Sequence, residues 1–305
     1  MDVAIMIEGQ NGLTWPRWQR IAPLVEGLGF AGLYRSDHFT NAAPPDRESL
    51  ELWTSLTWLA THTRRIAFGP LVTPCSFRHP VMTARMAVAV DELSGGRLVL
   101  GLGAGWQERE HTNYGFELLD LRSRLDRFEE SLQIISALFA SDEPLTFSGT
   151  YWRLREAVLR PRPRPGGPPL LVGGNGPRRT LPLAARYAAE WNGTAQSPEG
   201  FARLTARLEA LLARAGRPPG AVRRSVMVGV VFGRTPAEVA DRLARRGRSR
   251  HELRARGVLV GVAEEIVEQL RALEAAGAQQ VMLQWLDLDD LDGLRALAEG
   301  VLPHV

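Results

Sequence analysis

At 305 residues, with 37 Lys+Arg against 34 Asp+Glu and 45% hydrophobic residues, the chain can bury a full core and shows no charge bias toward nucleic acid or a membrane surface. Every basic residue is arginine, which excludes a Schiff-base lysine, a Walker-A lysine and a lysine general base. Cys75 is the only cysteine, so no intrachain disulfide or Cys-rich metal site is expected; MDVAIMIEG has no basic region and too short an apolar run for a signal peptide, and the expected location is the cytoplasm.

In chain order, short apolar runs alternate with amphipathic segments. Val3–Glu8 reads as strand one, with a helix from Trp15 to Leu28 stopped by Gly29. GLYRS from Gly32 is strand two, followed by a helix over Ser49–Thr61. Arg65–Val72 is strand three, with a helix starting near Pro80, where proline suits the first turn. Arg97–Gly103 is strand four, and a long helix covers Arg122–Ala140. Pro169–Gly174 is strand five, with a helix opening at Pro177, and Ala189–Gly193 is strand six, with a helix after Ser197-Pro198. Ser225–Phe232 is strand seven, with a helix after Thr235-Pro236, and Gln279–Trp285 is strand eight, closed by Leu291–Leu302.

Eight strands each followed by a helix predict an α/β fold with a parallel sheet, and at this length a single closed (β/α)8 TIM barrel over residues 1–305. Two segments break the rhythm. Trp106–Leu121 follows strand four, and Pro144–Pro168, with its run RPRPRPGGPP, precedes strand five as a lid or edge excursion too rich in proline for a central strand.

A barrel places its chemistry at the carboxyl ends of its strands. Those ends carry Glu8, Asp37-His38, Leu71-Val72-Thr73, Gly103–Trp106, Gly173–Gly176, Asn192–Thr194 and Gln284-Trp285. His38 can give or take a proton near neutral pH, and a carboxylate beside it, Asp37, can orient it. In GGNGPRRT, the glycines let backbone N–H groups approach a ligand, and Arg178 and Arg179 add charge where a helix begins. GLGAGW is not a dinucleotide fingerprint, because the third glycine position falls on Trp106. DLDDLDG fails as a calcium loop and reads as the polar start of the last helix. His111, near Glu108 and Glu110, lacks metal-ligand spacing and reads as a lid residue; no metal site is expected.

Three stretches together carry a resemblance: SDHF after strand two, DELSGGRLVLGLGAGW (Asp91–Trp106), and GGNGPRRTLPLAARYAAEWN (Gly173–Asn192). With VEQLRALEAAGAQQVMLQW (Val267–Trp285) they make the chain resemble the luciferase-like monooxygenase superfamily, in its branch that uses the deazaflavin coenzyme F420. The resemblance implies a deazaflavin ring in the barrel mouth, His38 contacting it near its redox centre, and Asp37 orienting that imidazole or touching the cofactor. It implies a non-prolyl cis peptide at Leu71–Val72, with Gly69-Pro70 as the competing cis bond, and it brings Thr73 and Gly103 to the cofactor. It also implies a phosphate cradle at Gly174, Asn175, Gly176, Pro177, Arg178, Arg179 and Thr180, with Thr194 nearby. In the branch's sugar-phosphate dehydrogenases, a glutamate follows the strand-four glycines and lysines hold the substrate phosphate. Here Trp106 stands at that position and lysine is absent, which argues for a flatter, apolar substrate against Trp106, Trp285 and Trp15.

The expected activity is F420-dependent hydride transfer to or from a small organic substrate, with His38, Asp37 and Glu8 managing protons. An FMN-dependent monooxygenase and a barrel that binds a cofactor or metabolite without turning it over are the alternatives. The family commonly dimerises, so a homodimer is an expectation of the same kind.

Overall fold

The computed structural model describes residues 1–305. Its parallel strands are β1 (Asp2–Ile7), β2 (Gly32–Arg35), β3 (Ala67–Pro70), β4 (Thr73–Pro74) and β5 (Leu100–Gly103) in the first half. An antiparallel hairpin, β6 (Leu145–Ser148) and β7 (Arg153–Ala157), stands outside that series. The second half adds β8 (Leu170–Gly173), β9 (Glu190–Thr194), β10 (Arg223–Phe232), β11 (Leu259–Gly261) and β12 (Gln280–Gln284). The helices of the first half are α1 (Trp15–Gly27), α2 (Leu52–His62), α3 (Pro80–Ser94), α4 (Glu108–Tyr114) and α5 (Leu121–Ala140). Those of the second are α6 (Thr180–Tyr187), α7 (Pro198–Arg214), α8 (Pro236–Arg246), α9 (Arg250–Ala255), α10 (Ala263–Ala275) and α11 (Leu291–Val301).

The strand order is β3-β2-β1-β12-β10-β9-β8-β5-β4. β3 and β4 are two halves of one barrel strand, broken by a cis peptide between Leu71 and Val72; Gly69–Pro70 is not cis. The circle closes where Phe68 bridges Leu98, with the Val99 N–H donating to the Phe68 carbonyl at 2.8 Å. This is the predicted α/β barrel. Two glycines permit the seam: a Cβ on Gly69 would sit 1.9 Å from the Val99 carbonyl oxygen, and one on Gly101 2.1 Å from that of Pro70.

The strands alternate in the usual period of two, which sorts their side chains between a helix-facing layer and the barrel interior. Leu33, Phe68, Leu100, Val172, Trp191 and Leu283 belong to the layer under the helices, while Ala4, Met6, Tyr34, Leu71, Leu171 and Met282 form a separate interior cluster. α3 begins with proline within its first two positions, as expected; α6, however, begins at Thr180, three residues later than Pro177, because Pro177–Arg179 form turns.

Both irregular segments are accounted for. The hairpin packs outside the barrel on α5, where Glu130 accepts the N–H groups of Thr150, Tyr151 and Trp152 and Ser131 accepts the Trp152 indole N–H. None of residues 144–168 lines the barrel mouth, so this excursion is an edge structure and not a lid. Trp106–Leu121 contains α4, capped by the Gln107 side chain accepting the Glu110 N–H at 3.1 Å. The short strand β11 extends β10 outside the barrel, and with α9 it went unread in the arginine-rich stretch after strand seven. No helix is long and apolar enough to cross a membrane.

Candidate active site

A cavity of about 790 Å³ opens at the carboxyl ends of the barrel strands. Glu8, His38, Leu71, Val72, Gly103, Trp106, Gly174, Gly176, Pro177, Arg178, Arg179 and Thr194 all line it, as do Ser36, Glu110, Arg124 and Thr180. Strand ends and the loops behind them therefore bring together most of the residues singled out from the sequence.

Five of those residues lie elsewhere, and strand alternation explains two. After β2, Ser36 and His38 turn inward, so Asp37 turns out of the cavity. Its carboxylate accepts from the Thr73 hydroxyl at 2.7 Å and from Arg78 at 2.5 Å. Asp37 thus does not orient the imidazole, and Thr73 is part of the same support behind the wall. After β12, Gln284 faces the barrel mouth and its amide donates to Glu8 at 2.6 Å; Trp285 then points outward into the helix-side core, 3% exposed, and is no substrate contact. Asn175 also lies off the cavity. Its amide donates to the Thr194 carbonyl at 2.8 Å and its side-chain oxygen accepts the Thr194 N–H at 2.9 Å, fastening the cradle loop to β9. Trp15 packs edge-on against Trp58 between α1 and α2 and does not line the cavity.

The imidazole's partner is Glu110. His38 Nδ1 lies 2.8 Å from Glu110 Oε1, and the other carboxylate oxygen accepts the Phe39 N–H at 3.0 Å. The Glu110 side chain is 1% exposed, so the pair sits where an unmatched charge would be costly. A carboxylate acceptor fixes Nδ1 as the protonated nitrogen and leaves Nε2 without a protein partner. Burial opposes the charged form of His38, but the hydrogen bond and charge of Glu110, aided by Glu8 and Asp37, outweigh it, and the imidazolium persists above the ordinary histidine range. Trp106 stands edge-on to the ring with centroids 5.8 Å apart, and is itself 61% exposed at the rim.

Glu8 is held from two sides, by Gln284 and by the Gln10 amide at 2.8 Å; Ser36 in turn donates to Gln10. His111 is buried, not a lid. Its Nδ1 meets the Gln107 carbonyl at 2.7 Å and its Nε2 the Ser76 hydroxyl at 2.8 Å, which bolts α4 to the turn after β4.

The loop from Gly174 to Thr180 has the features of an anion cradle. A Cβ on Gly176 would come within 2.7 Å of Thr180 Oγ1, so only glycine leaves that space open. Arg179, the N-cap of α6, makes no capping hydrogen bond; the Leu181 N–H is taken by the Gly176 carbonyl at 3.0 Å and Pro182 has none, so the Thr180 N–H is the first-turn donor left for a ligand. A Cβ on Gly103 would lie 2.6 Å from Val72, and its absence leaves the wall flat beside the bulge. A flat ring with a phosphate at one end fits these residues: Val72, Gly103 and His38 around the ring, Gly174, Gly176 and Thr180 at the phosphate, and the exposed Arg178 beyond them. Arg179, in contrast, is neutralised by Asp126 at 2.6 Å and Glu129 at 3.6 Å.

A model of the luciferase-like monooxygenase family matches residues 1–280. The chain is 34% identical over 179 residues to the 4-hydroxyprotoasukamycin monooxygenase of Streptomyces nodosus subsp. asukaensis, covering 58% of this chain and 47% of that one. It is 32% identical over 200 residues to an F420-dependent glucose-6-phosphate dehydrogenase of Microbacterium testaceum, covering 64% and 57%. The chain thus spans about half the length of these curated relatives. Among solved structures, an F420-dependent secondary alcohol dehydrogenase bound to an F420-acetone adduct superimposes with a TM-score of 0.86 at 19% identity, over 100% of both chains.

Proposed function

Because the chain belongs to the luciferase-like monooxygenase family, we propose that it is an F420-dependent oxidoreductase that moves hydride between the deazaflavin and a small organic substrate with an apolar body. The observation that carries this reading is the buried His38–Glu110 pair at the cavity wall, facing the space between Val72 and the Gly174–Thr180 cradle. The names of the F420-dependent relatives support it.

When bound, the deazaflavin supplies the hydride acceptor or donor. The protein's share is to bind, orient and manage protons. Gly174, Gly176 and the Thr180 N–H would hold the phosphate, and Arg178 the acidic tail beyond it. His38 Nε2 would carry the proton that accompanies hydride transfer at a carbon bearing oxygen, taking it in oxidation and giving it in reduction. Glu110 would hold the ring in one tautomer and stabilise its charged form. Glu8, tied to two amides, would fix the polar floor. Trp106, with no charged side chain at its position, would give the substrate an apolar face; this disfavours a sugar phosphate.

Replacing His38 by alanine tests the reading. His38→Ala should keep the fold and bind F420 as the parent does, while turnover of any accepted substrate falls by about 10²–10⁴-fold, as is typical on losing a positioned acid–base group. Unchanged turnover, followed by the absorbance of oxidised F420, would reduce His38 to a structural residue.

A further inference from the structure

A second cavity, of about 540 Å³, opens between the last residues of β10, the turn after β12, α8 and the loop carrying Arg47. It shares no residue with the cavity at the barrel mouth. Strand alternation keeps the two apart: Gln284 faces the mouth and meets Glu8, whereas Trp285 beside it turns to the helix side and lines the second cavity. β10 and β12 are the seventh and eighth strands of the closed ring, and the loops after these two strands frequently hold a phosphate in barrels of this kind. The cradle at Gly174–Thr180 follows the fifth strand and does not use that position.

Charge is unevenly matched around this second cavity. Five arginines and three acids line it. Arg234 is held by Glu238 at 2.7 Å, and Arg242 by Asp290. Arg47, Arg245 and Arg246 make no ion pair, although Asp241 and Asp287 share the lining with them. Partial desolvation, with the charge of Arg242, holds the Arg246 pKa below the usual arginine value, as befits a cation with no acid against it. The indole N–H of Trp285, in the wall of the same cavity, is sealed from solvent and meets no acceptor. An unmatched buried donor is uncommon in a folded protein, and beside unpaired cations it points to an oxygen-bearing anion supplied from outside the chain.

We propose that this cavity is a binding site for a phosphate group, free or on a small organic molecule, distinct from the cavity that would hold the cofactor. Arg245 and Arg246 on α8 would grip the charge, with Arg47 added from the loop after β2. Guanidinium groups suit this task, because their N–H donors form a fork that meets two phosphate oxygens at once. Leu286, 36% exposed in the lining, gives an organic phosphate some apolar surface to cover. Nothing in this site depends on which reaction the mouth performs.

The test is calorimetric titration with inorganic phosphate and with phenyl phosphate. Either probe could also enter the cradle, so the titrations use the Gly176→Asp variant, whose carboxylate repels anions there, alongside the parent. Gly176→Asp should still bind the probes. Adding Arg245→Gln and Arg246→Gln, both at exposed positions of α8, should weaken that binding at least about tenfold, the scale of losing a charge-assisted contact. Adding Asp241→Asn instead removes a negative charge from the lining and should tighten binding by about two- to fivefold, which damage to the fold would not do. Circular dichroism of each variant checks that the helices are intact. Tighter binding of phenyl phosphate assigns the site to an organic phosphate and equal binding to free phosphate; both sustain it. Silence of Gly176→Asp toward both probes, affinity that survives loss of the two arginines, or weaker binding on Asp241→Asn overturns the proposal.

Discussion

His38 owes its chemistry to a neighbour 72 residues away and not to the acid beside it in sequence. The Asp37-His38 pair was legible as a titratable couple at a strand end, but strand alternation sends adjacent residues to opposite faces, so only one of the two could enter the cavity. The same rule separates Gln284 from Trp285. Glu110 was visible in EREH yet carried no signal of its own, because the contact that gives it meaning is formed only when α4 folds over the β2 end. Glu110→Gln should therefore lower the His38 pKa, and an NMR titration of the imidazole would measure it. Because the folded value is raised, His38 protonation adds to stability fully below its unfolded value of about 6.5, and that gain is lost as pH rises through the higher folded value. In Glu110→Gln the loss should begin at lower pH, and any His38-dependent fall in turnover should move the same way. An unchanged imidazole titration would remove Glu110 from this role.

At the level of elements, the barrel strands were legible because each is a short apolar run ended by glycine or a polar turn. α4 was not, since seven residues with two acids and a histidine show no apolar period. The hairpin was hidden by its exposed, alternating charges, and β11 by its three-residue length. The element with the least tolerance is the seam between β3 and β5. Gly69→Ala and Gly101→Ala each drive a methyl into a backbone carbonyl, so each should cost about 2 kcal/mol or more, in the range of overpacked cores. Gly27→Ala, at the end of α1 with nothing within 4 Å, should leave stability unchanged or raise it. Urea unfolding of the three variants checks this; a seam variant as stable as the parent would show that the closure gives way without loss.

At the scale of the whole molecule, a net charge of +3 on an all-arginine chain says little about ligands; the distribution says more. Most of the arginines around the mouth are consumed by acids, with Arg78 on Asp37, Arg109 on Asp46 and Arg179 on Asp126. Arg124 and Arg178 remain for anions that enter. The barrel and its family were readable from strand count and ordered motifs, whereas this pairing of charges exists only in three dimensions. It also bears on which cofactor the cavity takes. FMN and F420 both present a phosphate to the cradle, but only the deazaflavin carries an acidic lactyl-oligoglutamate tail for the exposed Arg178 to meet. Such contacts are screened by salt, over about 8 Å at ~0.15 M. The direct measurement is a parallel titration of the purified cofactor-free protein with F420 and with FMN at low and high salt. F420 should bind more tightly than FMN, by a margin that narrows as salt is added; tighter FMN binding at both salt levels would contradict the deazaflavin assignment and leave the monooxygenase alternative in its place.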